Sequence, residues 1–225
     1  MKIRMSFKQM VGWLTLSWAT AASSGTFVVD DFTAFPTTIS FTNAAVVGDI
    51  LTHTDAQRTI TSELLQFVLP IQSAVNLDAG QLSVTNGSSE RSRVTLTWNV
   101  PAGTVPAGAT DGKLRLPLIL SDSNPSTVEF VIAGNSAGIT NIPGGTASTD
   151  IDTNVPIAQL QAGGQLRMVL NGAKGLDIVM GPMSIEWTDQ PTPPVPVPTM
   201  SMGGLLLLSS AMALIVGMIS RRRRA

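Results

Sequence analysis

Residues 92–100 set the dominant pattern of the chain. Val94, Leu96, Trp98 and Val100 fall on one side of an extended backbone, and Arg93, Thr95, Thr97 and Asn99 on the other. Such strict alternation marks a strand with one buried and one wet face. Residues 81–85 alternate in the same way, and Asn86-Gly87-Ser88-Ser89 between the two runs carries the dipeptide favoured in tight turns. The pattern predicts a hairpin across 81–100. Further strands are expected at 26–29, 38–42, 64–69, 113–120, 127–132, 165–170, 176–180 and 183–187. Within 113–120, Leu114, Leu116 and Leu118 oppose Lys113, Arg115 and Pro117, and the proline assigns this strand to an edge or a bulge. Turn clusters such as Pro101-Ala102-Gly103 and Pro143-Gly144-Gly145 separate the runs, and no stretch shows the ~3.6-residue period of an amphipathic helix. Many short strands with such punctuation predict an all-β fold, a single β-sandwich or jelly-roll-like domain.

Both ends depart from this pattern. Lys2, Arg4 and Lys8 precede a short apolar run from Met10 to Trp18, and Ala19-Thr20-Ala21 supplies the small-x-small residues of a cleavage site. That order predicts a signal-peptide helix over residues 1–21, with cleavage directed by Ala19 and Ala21. Near the other end, Met200 to Ile219 is free of charge. At 1.5 Å per residue that run is long enough to cross a hydrocarbon core of ~30 Å. It predicts one C-terminal transmembrane helix over 203–219. Arg221, Arg222, Arg223 and Arg224 follow it and hold the tail on the cytoplasmic side, so the body is expected across the membrane. Residues 191–198, rich in proline, read as a stiff extended spacer of roughly 25 Å. The organisation expected is therefore a signal peptide (1–21), a β-sandwich body (22–190), a Pro-rich linker (191–198) and a C-terminal signal (197–225).

Charge changes the picture once the ends are set aside. The body keeps seven basic residues against fifteen acidic ones, a net of −8. An acidic surface repels phosphate backbones, which argues against nucleic-acid binding. The chain has no cysteine, so disulfides, thiolate metal sites and cysteine nucleophiles are excluded. The single histidine, His53, lies in a run read as a polar loop, with no nucleophile elbow anywhere in the sequence. Asp30 and Asp31 are adjacent, so on a strand they face opposite sides; Asp150 and Asp152 share a face. Asp30 and Asp31 are the candidate calcium ligands, and a solvated acidic loop is the competing account of such pairs. Trp98 and Trp187 alternate with apolar neighbours and are expected in the core. Asn86-Gly87-Ser88 is a sequon expected to serve a turn.

Val197-Pro198-Thr199-Met200-Ser201, followed by a Leu-rich helix and an arginine cluster, resembles the IPTL-CTERM tail. That tail is a PEP-CTERM-like sorting signal of exported proteins in Gram-negative bacteria. Val197 stands for the family's Ile and Met200 for its Leu, while Pro198, Thr199 and Ser201 match. Met202 and Gly203 replace the acidic residue and Trp that usually follow, which keeps a plain membrane anchor as the alternative. Gly203-Gly204 before terminal arginines also resembles the GlyGly-CTERM tail, whose Gly-Ser-rich lead-in is missing here. The IPTL-CTERM resemblance implies export by the Sec machinery, recognition by an exosortase-type enzyme of the membrane, and transfer to the cell surface or an extracellular matrix. In the body, Val29-Asp30-Asp31-Phe32, Gln57-Arg58, Leu82 to Asn86 and Val94 to Trp98 resemble the β-rich bodies of PEP-CTERM-type proteins. The expected function is that of a non-enzymatic surface or matrix protein without a cofactor, with extracellular polysaccharide as a partner. The alternative is a calcium-assisted glycan-binding module, and an exported hydrolase is the third reading.

Overall fold

Alternating side chains build an almost entirely β body in the computed structural model, which describes residues 24–189. In chain order the strands are β1 (Ser24–Asp30), β2 (Thr37–Ser40), β3 (Ile50–Thr54), β4 (Arg58–Gln66), β5 (Ala74–Asp78), β6 (Gln81–Thr85) and β7 (Arg91–Val100). Then come β8 (Ala109–Ser121), β9 (Ser126–Ile132), β10 (Asn135–Ile142) and β11 (Ala147–Asn154). A one-and-a-half-turn helix α1 (Ile157–Ala162) precedes β12 (Gly164–Gly172), β13 (Asp177–Met180) and β14 (Met183–Asp189). The signal peptide, Pro-rich linker, sorting motif and transmembrane helix expected above lie outside the described residues. Among the described residues, no helix is long and apolar enough to cross a membrane.

Two antiparallel sheets share one core. The six-stranded sheet runs β10-β9-β12-β7-β4-β3. The eight-stranded sheet forks at β8: β11 lines one edge, while β14 pairs with its first half and β13 with its last residues on the other. β1 continues from β14, and β6, β5 and β2 continue from β13. Pro117 sits at that fork, and its carbonyl accepts a hydrogen bond from Gly181 N at 2.8 Å. A strand residue directs its N–H and C=O to the same edge, so the missing N–H of Pro117 falls where β13 gives way to β14. The edge expectation for Pro117 does not hold, because β8 is paired on both sides, and the register shift of this strand falls just beyond the proline, between Leu118 and Leu120.

Inward-facing Leu82, Leu114, Leu116 and Met180 from one sheet meet Leu96, Phe130, Leu166 and Met168 from the other, all essentially buried. Each such side chain contributes on the order of 2 kcal/mol of burial. The alternation in β7 is as expected, with Val94, Leu96, Trp98 and Val100 buried.

The hairpin expected across 81–100 is corrected. β6 pairs with β5 and β13 in one sheet, and β7 pairs with β4 and β12 in the other, so residues 86–90 cross between sheets. The buried carboxylate of Glu90 fixes this crossing by accepting hydrogen bonds from Gln72 N, Ser73 Oγ and Gly87 N. Two tight hairpins use Ala-Gly instead of Asn-Gly. Ala79 and Gly80 link β5 to β6 with φ of 49° and 80°, and Ala133 and Gly134 link β9 to β10 with φ of 47° and 84°. Positive φ at both central residues matches the twist of the flanking strands. β3, β5, β10, β11 and α1 were not anticipated. The strand expected at 64–69 instead spans Arg58–Gln66.

Candidate binding cleft

The adjacent acids separate as strand geometry requires. Asp30, the last residue of β1, points inward and is buried, whereas Asp31 is exposed. Asp30 Oδ1 accepts from Phe32 N at 2.9 Å, and Oδ2 accepts from Trp98 Nε1 at 2.7 Å. Arg58 Nε lies 2.9 Å from the same Oδ2, with both side chains fully buried. Arg58 Nη2 in turn donates to Ala34 O and Gln57 Oε1, and its guanidinium carbon stands 5.9 Å from the Phe32 ring centroid. Burial pushes the Asp30 carboxyl above its usual range, against the Trp98, Phe32 and Arg58 contacts that favour its charged form. β1 belongs to one sheet and β4 and β7 to the other, so this cluster ties the two sheets together. It brings together Asp30, Phe32, Gln57, Arg58 and Trp98 from three distant stretches of the chain.

Asp31 Oδ1 accepts from Thr33 N and Thr33 Oγ1, which hold its carboxyl below the usual range. Among the described residues, no group of three or more His, Asp or Glu side chains is placed to hold a metal ion. The calcium candidates thus comprise one carboxylate engaged with protein donors and one solvent-facing carboxylate bonded to its own turn.

His53 lies on edge strand β3 opposite Ile60, not in a loop, and is half-buried. Asp150 and Asp152 share the outer face of β11, also not a loop, and are ion-paired. Asp150 meets Arg115, Asp152 meets Lys113 at 2.7 Å, and Glu186 bridges both cations at 3.1 and 3.2 Å. Trp98 is core, as expected. Trp187 is only half-buried, lying against Gly25 of β1 with its Nε1 donating to Asp189 Oδ1. A Cβ at position 25 would stand 2.3 Å from the Trp187 ring, so the indole occupies the space the glycine leaves. Asn86 of the sequon is buried, with Oδ1 accepting from Ser92 Oγ, so it is closed to glycosylation.

Among the described residues, three surface depressions compare as binding sites. One of about 330 Å³ on the eight-stranded sheet is lined by Lys113, Glu186, Asp111, Asn154 and Trp187. Its Lys113 and Glu186 already neutralise each other, and Asp152 takes the other side of Lys113. A second, of about 340 Å³, lies beside Asp55, Gln57, Arg58 and Trp98, where Asp55 Oδ1 is held by Gln57 N and Arg58 N. The third, about 520 Å³, is a cleft at one end of the six-stranded sheet.

Register builds the cleft. Asn141 of β10 stands opposite Thr127 of β9, and Thr127 stands opposite Asn171 of β12. The three outward side chains form a row across neighbouring strands about 4.8 Å apart. Arg93 Nε donates to Asn171 Oδ1 at 2.9 Å and leaves the Asn171 amide N–H groups unspent. Arg91 enters from β7 and is held by one bond, Nε to Gly172 O at 3.1 Å. Lys174 follows in the turn after β12. Pro125, Ile142 and Pro143 supply apolar walls, and buried Ser126 Oγ in the lining has no hydrogen-bond partner among the described residues. No carboxylate lines the cleft. Sequence reasoning missed it because its residues come from β4, β7, β9, β10 and β12, from the turn before β9 and from those after β10 and β12. Only the register brings them together.

No protein-family model matches the chain, and no curated protein matches it. Solved structures similar to it include a family 29 carbohydrate-binding module from Piromyces equi (TM-score 0.36, 11% identity, covering 75% of this chain and 92% of that one). A mutant family 29 module made to probe ligand recognition gives a TM-score of 0.39 at 9% identity, covering 73% of this chain and 92% of that one. The module TmCBM61 in complex with β-1,4-galactotriose gives 0.35 at 7% identity, covering 55% of this chain and 86% of that one.

Proposed function

We propose that this chain is an exported, non-catalytic polysaccharide-binding protein of the Gram-negative cell surface. Its body holds a glycan directly in the cleft at the end of the six-stranded sheet. The observation that carries this reading is the row Asn141, Thr127 and Asn171, whose unspent amide and hydroxyl groups face open space beside apolar walls. A chain of sugar rings needs many neutral donors and acceptors for its hydroxyls and apolar contact for its C–H faces, and both are supplied. Glycoside hydrolysis needs two carboxylates flanking the scissile bond, and the lining contains none. The same lack of carboxylates makes direct contact, rather than calcium-assisted contact, the supported form.

The sequence supports the delivery half of the proposal. In this reading the signal peptide exports the body, and Val197 to Ser201 with the apolar run 203–219 and Arg221 to Arg224 present it to an exosortase-type enzyme. A plain membrane anchor is the alternative fate of the same tail. Affinity electrophoresis of the full chain through gels containing soluble polysaccharides tests the binding half. Retardation by at least one glycan, weakened by Asn171→Ala and Thr127→Ala, is expected. Unaltered migration in every gel contradicts it.

A further inference from the structure

The charged groups of the body are unevenly committed. Of its seven cations, Arg58, Arg93, Lys113 and Arg115 are held in ion pairs. Arg91, Arg167 and Lys174 have no ion-pair partner among the described residues, and two of these three, Arg91 and Lys174, line the same cleft. That cleft contains no acid, although acids outnumber bases fifteen to seven in the body. Elsewhere the body keeps most of its positive charge compensated; here it leaves two charges without an ion-pair partner among the described residues, in the lining of one concavity.

We infer that the cleft selects an acidic polysaccharide, with Arg91 receiving a sugar carboxylate and Lys174 supplying the second positive charge. This rests on the polysaccharide-binding reading above and narrows its ligand class. Arg91 is the more informative residue. Its Nε–H is tied to Gly172 O, which fixes the side chain's course, while neither Nη group has a partner among the described residues. A guanidinium held in that way presents a planar fork that matches a planar carboxylate through two parallel N–H···O bonds. Lys174 is exposed and its ammonium makes no bond among the described residues, so it is available as a point charge. The neutral row of Asn141, Thr127 and Asn171 then meets the ring hydroxyls. The net negative charge of the body disfavours a polyanion over most of the remaining surface.

The test measures binding of the full chain, in detergent, to polygalacturonate and alginate, to methyl-esterified polygalacturonate, and to dextran sulfate. Binding to an acidic glycan is expected, with about tenfold weakening on esterification, the scale of one hydrogen bond to a charged group. Arg91→Gln and Lys174→Gln each weaken the acidic glycan by a similar factor, and Arg167→Gln, which removes a charge outside the cleft, does not. Lys174 is exposed and has no side-chain hydrogen bond or ion pair among the described residues, so its variant keeps the test decisive if Arg91→Gln folds poorly. Equal binding of ester and acid overturns the charge selection while leaving the polysaccharide reading standing. Dextran sulfate binding as tightly as the uronates overturns the carboxylate assignment. Equal losses from Arg167→Gln and Arg91→Gln assign the effect to overall charge and overturn the site. Binding to none of these glycans overturns the inference, and only silence across neutral glycans as well overturns the reading beneath it.

Discussion

Asp30→Ala leaves the Arg58 guanidinium buried without its counter-charge. Removing one partner of a buried pair costs about 3–5 kcal/mol, because the remaining charge cannot return to water. Trp98→Phe keeps the ring in the core but deprives Asp30 Oδ2 of its indole N–H, at about 1–3 kcal/mol. Denaturant unfolding of both variants and the double variant checks this. The two losses are expected to be non-additive, since both act on one oxygen. Additive losses would mean that Trp98 and Asp30 stabilise the fold separately. The sequence marked Trp98 as core through its apolar neighbours. It offered no comparable signal for Asp30, because a carboxylate is read as solvent-facing unless its partners are known, and those partners are 28 and 68 residues away along the chain.

At the scale of elements, legibility followed the burial pattern. β6 and β7 were read almost to the residue because each alternates between core and the outer face, and β9 because its run of β-branched and aromatic residues is bounded by turn residues. β10 was not, since a register shift between Ser136 and Gly138 interrupts its alternation, and most of its side chains are exposed. β11 hid for a related reason: only Ile151 and Thr153 are buried in a strand otherwise facing water. The Asn-Gly signal at 86–87 misdirected the pairing because a sheet-to-sheet crossing and a hairpin draw on the same small polar residues. The two tight Ala-Gly hairpins carry alanine in a left-handed conformation, which costs roughly 1–2 kcal/mol for a residue with a Cβ. Ala79→Asn and Ala133→Asn are therefore expected to raise stability by about 0.5–1 kcal/mol each. Unfolding midpoints check this, and a fall in both would show that the alanine methyls make contacts worth more than the strain.

At the scale of the whole molecule, composition and order foretold an all-β body and proposed its address, but not its cleft. The two positive charges of that cleft are invisible in a net of −8, because charge counts ignore which cations are already paired. Delivery is tested separately from binding. Expressed in a Gram-negative host carrying an exosortase, the chain is expected to lose its C-terminus near Pro198-Thr199, and Pro198→Ala is expected to retain it, as read by mass spectrometry of the surface protein. An intact Ala225 terminus in both would make the tail a plain anchor. The central claim concerns the cleft, and hydrogen exchange of the full chain with and without a bound acidic polysaccharide addresses it most directly. The account predicts added protection in residues 125–127, 141–143 and 171–174, with 111–115 and 184–188 unchanged. Protection centred on 111–115 and 184–188 instead, over the Lys113 and Glu186 face, would contradict it.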